Sequence, residues 1–352
     1  MHDTTKKFEN KNHVFVIAEA GSNWKCGSFG EDLKPAKKLI DVAVRCGADA
    51  VKFQTYKPET IYVENAGASK YLSDHGITQS INDIFKHLSM PYEMIPELAK
   101  YSQQHNITFM STPFSIQDAK EVNPYVQIHK IASFEINHVR LVEYLARTNK
   151  PLLISTGAST YAEIDFAVKL AQENKNNKIT LLQCTSKYPC PIEALNLSVI
   201  PQMEKKYHLP IGFSDHSTDP LIAPLLAVGF GATCIEKHFT LDRNLPGPDH
   251  PFALIPEELE LMVKSIRSAE KAIGNGKKEI LEVESELRQF ATRSIQATRD
   301  ICEGEVLQEG INFDVLRPGN RIRGTEPRFL NQVNGRKATK NIKRGDGIHD
   351  YA

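Results

Sequence analysis

Two histidines offer the clearest candidate chemistry in this chain. His216 and His238 each end a short apolar run of the kind that forms a buried strand. If those strands are neighbours, about 4.8 Å apart, both imidazoles can reach one divalent cation. Two protein ligands leave positions for water and substrate, so we expect a loosely held Mn²⁺, with Mg²⁺ or Co²⁺ as alternatives. Two hydrogen-bonded histidines without a metal are the other interpretation.

Two lysines, Lys52 and Lys130, lie inside apolar runs, where a lysine is costly unless an anion pairs with it. Hydroxyl side chains fall near the ends of runs on the same rim: Thr112, Ser133, Ser155, Ser186 and Ser214. Two ammonium groups among hydroxyls would suit a phosphate, or a phosphate with a carboxylate. A Schiff base with a carbonyl substrate fits the pattern equally well. So does a structural ion pair with Glu19, Glu135 or Glu236.

Three carboxylates complete the candidates. Glu19 ends the first run, Glu135 follows the fourth, and Asp249 lies on a proline-rich turn after the eighth. Each could bind sugar hydroxyls or move a proton, and each could equally be a capping or solvated acid.

These residues depend on eight apolar runs. Between several of these runs, and after the last, lie amphipathic helical patterns, over residues 32–45, 92–105, 162–173, 219–229 and 257–274. Alternating strands and helices predict an α/β fold, a parallel (β/α)₈ TIM barrel whose active site lies at the C-terminal ends of the strands. Alternation along a strand places Glu236 on the face of His238 and Gln54 on the face of Lys52, so both pairs are expected to face the interior. The runs begin at Val14, Ala50, Ile107, Val126, Leu152, Ile179, Ile211 and Thr233.

The length of 352 residues predicts a second domain, because such a barrel needs about 250. We predict the barrel over residues 1–275, a charged linker over 276–291 and a small β-rich domain over 292–352. The connection from 57 to 90 is long, and we interpret it either as a lid or specificity element or as a decorative insertion.

Bulk properties exclude several classes of protein. Lys and Arg total 43, as do Asp and Glu, so the chain lacks the basic footprint of a nucleic-acid-binding protein. No apolar stretch approaches the ~20 residues of a membrane span, and the polar opening segment does not read as a secretory signal. The 6 cysteines have neither zinc nor redox spacing. We therefore expect a soluble cytoplasmic enzyme with reduced thiols, and neither a membrane nor a nucleic acid as its partner.

The ordered motifs resemble those of the sialic acid synthase family from about Val14 to the C-terminus. The tail, with Leu316-Arg317-Pro318-Gly319-Asn320, resembles the antifreeze-like (SAF) domain of these synthases. The barrel motifs that carry the resemblance include Ile17-Ala18-Glu19-Ala20-Gly21, Val51-Lys52-Phe53-Gln54-Thr55, Lys130-Ile131-Ala132-Ser133-Phe134-Glu135, Cys184-Thr185-Ser186-Lys187-Tyr188-Pro189, Gly212-Phe213-Ser214-Asp215-His216, Glu236-Lys237-His238 and Pro246-Gly247-Pro248-Asp249.

The resemblance implies an activity and a role for each matching residue. Family members condense phosphoenolpyruvate with an open-chain N-acetylated hexosamine, typically N-acetylmannosamine, to a nine-carbon 2-keto acid and phosphate. His216 and His238 would hold the metal, and Arg317 would reach the sugar site of the partner in a domain-swapped homodimer. Phosphoenolpyruvate would be bound by Lys52, Thr112, Lys130, Ser133, Ser155 and Ser214. The sugar site would be lined by Glu19, Gln54, Phe114, Glu135, Tyr188, Asp249 and Phe290, with Glu135 as the candidate base.

Two departures from the family pattern leave the hexosamine open. Trp24 stands where many members have histidine, and it could stack on a sugar or simply pack. Ser186 stands where some N-acetylneuraminate synthases have an asparagine that contacts phosphoenolpyruvate. The sugar could belong to the neuraminic, legionaminic, pseudaminic or spore-coat type, and Asp249-His250 leans toward the first two.

Three rival functions remain. One is another phosphoenolpyruvate-dependent synthase of 2-keto-3-deoxy sugar acids, and a second is a Schiff-base aldolase. The third is a catalytically inactive, sugar-binding barrel.

Overall fold

The structure, a computed structural model, describes residues 5–10, 12–68 and 79–352. The chain divides into two compact units, Met1–Gly274 and Asn275–Ala352. No helix in the described ranges is both long enough and apolar enough to cross a membrane.

The first unit is built on eight parallel strands. Their order is β3-β2-β1-β8-β7-β6-β5-β4, and β3 and β4 contact each other at the seam. This nearly closed barrel confirms the predicted fold. The strands are β1 (Phe15–Gly21), β2 (Ala50–Thr55), β3 (Thr108–Pro113), β4 (His129–Ile131), β5 (Leu152–Ser155), β6 (Ile179–Cys184), β7 (Ile211–Asp215) and β8 (Cys234–His238).

Helices connect the strands and bury their apolar faces against them. The sequence marks the starts of two of the longer helices. Thr160 and Glu163 form a reciprocal capping box at the start of the helix Tyr161–Glu173, and Pro256 opens the helix Pro256–Ile273. The helices of this unit are α1 (Thr5–Phe8), α2 (Phe29–Arg45), α3 (Pro58–Ile61), α4 (Ile81–Leu88), α5 (Met94–Gln104), α6 (Ile116–Val122), α7 (Val139–Arg147), α8 (Tyr161–Glu173), α9 (Val199–Tyr207), α10 (Ile222–Gly229) and α11 (Pro256–Ile273).

The barrel interior changes character along its axis. Its lower part is a buried apolar cluster to which six strands and Ile128, just before β4, contribute, and above it the same strand faces turn polar. Because alternate residues of a strand face the interior, Ile17 and Glu19 on β1, or Cys234 and Glu236 on β8, belong to successive layers. The apolar layer consists of Phe15, Ile17, Ala50, Met110, Ile128, Leu153, Leu182 and Cys234.

The base of the barrel is closed by a buried ionic cluster around Asp49, which precedes β2. Its carboxylate lies 2.5 Å from Arg267 Nη2 and 3.0 Å from His13 Nε2, and it accepts the Val16 amide at 3.0 Å. These contacts join the start of β1, the start of β2 and α11. The cluster stabilises the end of the barrel opposite the polar layer.

The long connection between β2 and β3 has a small apolar core of its own. Tyr56, Ile81, Ile84 and Leu88 are buried together, and Phe85 packs against them. Of the predicted lid or insertion over 57–90, residues 69–78 lie outside those that the structure describes. The remainder is a folded segment containing α3 and α4.

The second unit has an antiparallel pair, β9 (Ser294–Ala297) and β10 (Phe313–Leu316), and short helices α12 (Ser285–Ala291) and α13 (Leu330–Val333). Isolated bridges such as Ile301 to Ile342 extend the β structure. The helix α12 occupies part of the segment that was predicted as a linker. The core of this unit consists of Ile295, Ala297, Ile301, Leu307, Phe313, Val333, Ala338, Ile342 and Ile348.

Candidate active site

Four charged side chains form a buried network at the C-terminal end of the barrel. Lys52 Nζ lies 2.5 Å from Glu19 Oε2 and 3.6 Å from Glu236 Oε2, and Lys130 Nζ lies 3.8 Å from Glu236 Oε1. All four side chains are almost completely buried. The two lysines therefore pair with Glu19 and Glu236, and Glu135 is not among their ion-pair partners.

The groups of this network differ in how readily they ionise. Burial opposes ionisation of Glu236, but the charges of Lys130 and Lys52 outweigh it and hold its pKa below the usual value. Burial raises the pKa of Glu19 to about 7 against the attraction of Lys52, and the negative Glu236 adds to the rise. Burial also lowers the pKa of Lys130. Glu19 is thus the carboxylate that can gain or lose a proton near neutral pH.

Hydroxyl groups line the network on the same face. Lys52 donates to Thr112 Oγ1 at 3.0 Å and Lys130 donates to Ser155 Oγ at 2.6 Å, while Ser214 donates to Glu236 Oε1 at 3.0 Å. Each of these pairs bridges two strands.

Ser133 and Ser186 meet at Gly157, which follows β5. Ser133 Oγ accepts the Gly157 amide at 3.1 Å, and a side chain at Gly157 would collide with both serine hydroxyls. The buried Ser186 Oγ has no hydrogen-bond partner. An unsatisfied buried hydroxyl of this kind is able to donate a hydrogen bond to an anionic ligand.

The two histidines lie side by side with ring centroids 5.7 Å apart. His216 Nδ1 lies 2.9 Å from the Thr185 carbonyl oxygen. Burial opposes protonation of His216, but Cys184 and the Thr185 carbonyl outweigh it and hold its pKa above the usual value. Burial, and then the charge of His216, hold the pKa of His238 well below its usual value, so its imidazole is neutral. The buried Nδ1 of His238 has no hydrogen-bond partner and lies 3.9 Å from Asp249 Oδ2.

These features fit a divalent cation held by few protein ligands. Two adjacent imidazoles, one of them oriented by a backbone carbonyl, are the arrangement that metal sites use. Among the described residues, no cluster of three or more His, Cys, Asp or Glu is placed to enclose a metal. Any ion here would keep most of its positions for water or substrate.

Aromatic rings wall the histidines. Tyr188 lies against His216 with centroids 4.1 Å apart, and Phe252 lies 5.1 Å from the His238 ring and 5.4 Å from Tyr188. Phe252 was not a sequence candidate, although its place three residues after Asp249 on the same turn could have indicated it.

The predicted sugar-site residues of the barrel fall into two groups. Gln54 donates to Glu19 Oε1 at 3.1 Å, and Ser22 donates to Asp249 Oδ2 at 3.4 Å, which joins these residues to the charged network and to His238. Phe114 instead packs edge-on against Tyr56, with centroids 5.4 Å apart, next to the core of the long connection.

Glu135 lies on a short 3₁₀ turn after β4 and has a perturbed carboxyl group. Burial, and then the charge of Asp118, raise its pKa to about 7. Burial, and then the charge of Glu135, raise the pKa of Tyr62, so Glu135 lies near the long connection between β2 and β3. A carboxyl group with this pKa can act as a base at neutral pH.

Two predicted sugar-site residues belong to the second unit. Phe290 is 43% exposed, and its carbonyl oxygen accepts the Gly319 amide at 3.0 Å, two positions after the exposed Arg317.

Two further residues are structural. Trp24 is 1% exposed and packs in the main core, which settles the choice between stacking on a sugar and packing. Lys237 is also 1% exposed, but it points away from the interior and pairs with Asp215 Oδ2 at 2.6 Å.

Comparison with known proteins shows the family to which this chain belongs. The NeuB family model matches residues 39–278, and the SAF domain model matches residues 292–350. The spore coat polysaccharide biosynthesis protein SpsE of Bacillus subtilis is 39% identical, over 95% of this chain and 92% of the relative. Its crystal structure superposes with a TM-score of 0.63 at 38% identity, covering 96% of this chain and 94% of the other.

Two relatives from Campylobacter jejuni carry the names of enzymes. A pseudaminic acid synthase is 36% identical over 97% of both chains. An N,N'-diacetyllegionaminic acid synthase is also 36% identical, over 96% of this chain and 99% of the relative. The chain therefore belongs to the NeuB family, the sialic acid synthase family whose motifs it resembles, and it carries a SAF domain.

Proposed function

We propose that this chain condenses phosphoenolpyruvate and water with an open-chain N-acetylated hexosamine, releasing phosphate and a nonulosonic acid. The observation that carries the proposal is the buried lysine–glutamate network together with two adjacent histidines, in a member of the NeuB family. The network supplies a binding site for a small polyanion, and the histidines lie next to the side chains that would bind the sugar.

Phosphoenolpyruvate is recognised by charge and by hydroxyl donors. Its phosphate and carboxylate would replace Glu19 and Glu236 as partners of Lys52 and Lys130, and Ser133 and Ser186 would donate to its oxygens. A bound polyanion raises the pKa of neighbouring carboxyls, so Glu19, already near 7, would take up a proton as the ligand binds. That proton removes one negative charge from the buried site.

The carbon–carbon bond forms between the methylene of phosphoenolpyruvate and the sugar aldehyde carbon. The new alkoxide takes a proton, and positive charge develops at C2 of the former enol phosphate. Water adds to C2 and loses a proton, and the C2–O bond to phosphate then breaks. The phosphate leaves with the electron pair of that bond and takes up the remaining hydroxyl proton, which leaves the ketone. A divalent cation held by His216 and His238, for which we propose Mn²⁺, would polarise the aldehyde oxygen.

Glu135 is proposed as the base for the water. Its raised pKa gives a carboxylate that accepts a proton more readily than an ordinary glutamate while half of it is still ionised near pH 7. Its position after β4 places it beside Ser133, within the turn that would bind phosphoenolpyruvate.

A synthase that uses a phosphorylated aldose would need cations for a second phosphate. The five arginines of the first unit lie away from the polar layer. Arg267 binds Asp49 at the barrel base, Arg243 binds Glu258 on α11, and Arg140 binds Glu143 on α7. Arg147 bonds Asn174, and Arg45 lies on α2. These placements favour a sugar without phosphate.

We propose further that a second copy completes the site. Arg317 and Phe290 adjoin on the second unit, both are exposed, and neither has an ion pair or ring contact among the described residues. Such a pair is suited to cover a sugar bound in another subunit, which makes a domain-swapped homodimer the proposed functional form.

The hexosamine is N-acetylmannosamine or a 2,4-diacetamido-6-deoxyhexose, and a direct assay decides. The chain, incubated with phosphoenolpyruvate, Mn²⁺ and each sugar in turn, is expected to release phosphate with one of them and to form a nine-carbon keto acid, visible by mass spectrometry. Release with a phosphorylated aldose only, or borohydride trapping of pyruvate on a lysine, would overturn the proposal in favour of the corresponding rival. Ligand binding without phosphate release would favour an inactive barrel.

A further inference from the structure

Gly21 ends β1 at the centre of the proposed sugar site in an unusual conformation. Its φ is +52°, and the pairing register of β1 with β2 shifts between Glu19 and Gly21. A bulge of this kind redirects the side chains at the end of a strand. Glycine adopts the left-handed conformation without the steric cost of a side chain.

The face of Gly21 that lacks a side chain is occupied by three polar groups. A Cβ added there would lie 2.8 Å from Asp249 Oδ2 and 3.6 Å from both Gln54 Nε2 and Glu19 Oε1. These groups come from β1, from β2 and from the turn after β8. They converge on one point only because residue 21 leaves the space empty.

Contacts around Asp249 prevent its carboxylate from moving away from that point. Ser22 holds its carboxylate from the next position of the chain at 3.4 Å. Behind it, His250 is buried, with Nδ1 2.6 Å from Thr240 Oγ1, and a Cβ on Gly247 would lie 2.9 Å from the His250 ring. The turn that carries Asp249 is therefore fixed from behind while Gly21 limits how far its carboxylate reaches inward.

We infer that Gly21 is a positioning residue for sugar binding, and that its missing side chain sets the depth at which Asp249, Gln54 and Glu19 meet the hydroxyls of the open-chain hexosamine. The inference rests on the proposed function, which supplies the sugar. Gly21 itself acts through Asp249. Phosphoenolpyruvate lies on the other side of Glu19, among the lysines and serines, so its binding is expected to be insensitive to Gly21.

The test is Gly21→Ala in the full chain, with Gly231→Ala as a matched control. Gly231 also has positive φ, +95°, but the nearest atom to its added Cβ is 4.0 Å away, so this variant bears the backbone strain alone. We expect Gly21→Ala to raise the KM of the sugar by about tenfold or more, since a carboxylate moved by ~1 Å loses its hydrogen bonds. The KM of phosphoenolpyruvate is expected to stay within about twofold of native, and Gly231→Ala to change neither KM.

Calorimetry on metal-free protein gives a readout besides turnover. The probes are N-acetylmannosaminitol and the alditol of the 2,4-diacetamido-6-deoxyhexose, which are open-chain and unreactive. The alditol of the sugar that the native chain uses is expected to bind Gly21→Ala about tenfold more weakly or worse. Equal affinity in a folded Gly21→Ala would overturn the inference, as would an equal rise in both KM values.

A second comparison covers the case in which Gly21→Ala fails to fold. Removing the carboxylate removes the collision, so Asp249→Ala and the double variant Gly21→Ala/Asp249→Ala are expected to share one sugar KM. The difference in Tm between these two variants should equal the difference in Tm between Gly231→Ala and the native chain. A double variant that also fails to fold would show that Gly21 serves the backbone alone. A native chain inactive with every sugar would instead overturn the proposed function, and this inference with it.

Discussion

At the scale of single residues, the buried lysines separate by what they contact. Lys130 faces hydroxyls and Glu236 in the polar layer, whereas Lys237 on β8 faces Asp215 outside it. We expect Lys130→Ala to raise the KM of phosphoenolpyruvate by about 10- to 100-fold, because a hydrogen bond to a charged group contributes about 1.5–3 kcal/mol. Steady-state kinetics with phosphoenolpyruvate as the varied substrate measure this.

Lys237→Ala is the matched control for that variant. It leaves the buried Asp215 carboxylate without its lysine partner, which is expected to cost about 3–5 kcal/mol of stability and to lower the Tm. The KM of phosphoenolpyruvate is expected to be unchanged in the folded fraction. If the two variants behaved alike, the assignment of Lys130 to the ligand would be wrong.

The titration of Glu135 predicts a pH dependence. Its pKa is raised from 4.5 to about 7, so the base form is scarce at pH 6 and predominates at pH 8. We expect kcat/KM to rise over that interval, and Glu135→Gln to lose most activity together with this limb of the profile. Glu97→Gln, on the solvent side of α5, is the control and should keep the native profile.

The same group affects stability with a definite sign. Because folding raises the pKa of Glu135, the folded state binds the proton more tightly, and its contribution to stability falls as the pH rises from about 4.5 to about 7. Glu135→Gln removes the buried charge, so its Tm relative to native is expected to be higher at pH 8 than at pH 4.5. An unchanged difference in Tm across that range would contradict the burial of this carboxylate.

At the scale of elements, we propose that the connection between β2 and β3 supports the sugar site. Phe85 on α4 packs against Tyr56 at 4.9 Å, and Tyr56 packs against Phe114 at 5.4 Å. We expect Phe85→Ala to raise the KM of the sugar several-fold and to increase hydrogen exchange over 79–90, because the small core loses its central ring. Phe166→Ala on the exposed face of α8 is the control. Faster exchange with an unchanged sugar KM would make the connection a decorative insertion.

Strand periodicity made much of this arrangement predictable. The eight apolar runs predicted the barrel, and alternation placed Lys52 with Gln54 and Glu236 with His238 on inward faces, as the structure has them. The same rule distinguishes Lys237, which has the opposite parity to Glu236. Helices α6, α7 and α9 were not predicted, because their short apolar stripes add little to the pattern.

Tertiary packing decided what the sequence left open. Three glutamates were possible partners for the lysines, and only the neighbouring strands β1, β2 and β8 select Glu19 and Glu236. The approach of Asp249 to Gly21 joins a turn and a strand more than 200 positions apart, with no local signal in either. The raised pKa of Glu135 depends on burial, which periodicity does not predict for a turn residue.

At the scale of the whole molecule, the proposed dimer makes a sharp prediction about mixed subunits. Arg317→Ala damages the site that a subunit completes in its partner, whereas Lys130→Ala damages the site in its own barrel. At limiting phosphoenolpyruvate and sugar both variants are expected to be impaired alone, and their co-expression is expected to restore activity, since each heterodimer contains one intact site. Arg321→Ala, whose guanidinium is already paired with Asp346 at 3.1 Å, is the control and should remain active alone. Absence of recovery in a mixture shown to contain heterodimers would place Arg317 in its own subunit's site or outside any site.

The central claim, that this barrel joins the enol phosphate to an aldehyde and releases phosphate by breaking its bond to carbon, is tested most directly in ¹⁸O-labelled water. The chain is incubated with phosphoenolpyruvate, Mn²⁺ and the sugar that supports turnover, and the phosphate and keto acid are weighed by mass spectrometry. We predict unlabelled phosphate released one for one with a nine-carbon acid, and no release when a chelator is present. Labelled phosphate, or pyruvate in place of the nine-carbon acid, would mean that water attacks phosphorus and would contradict the proposed function.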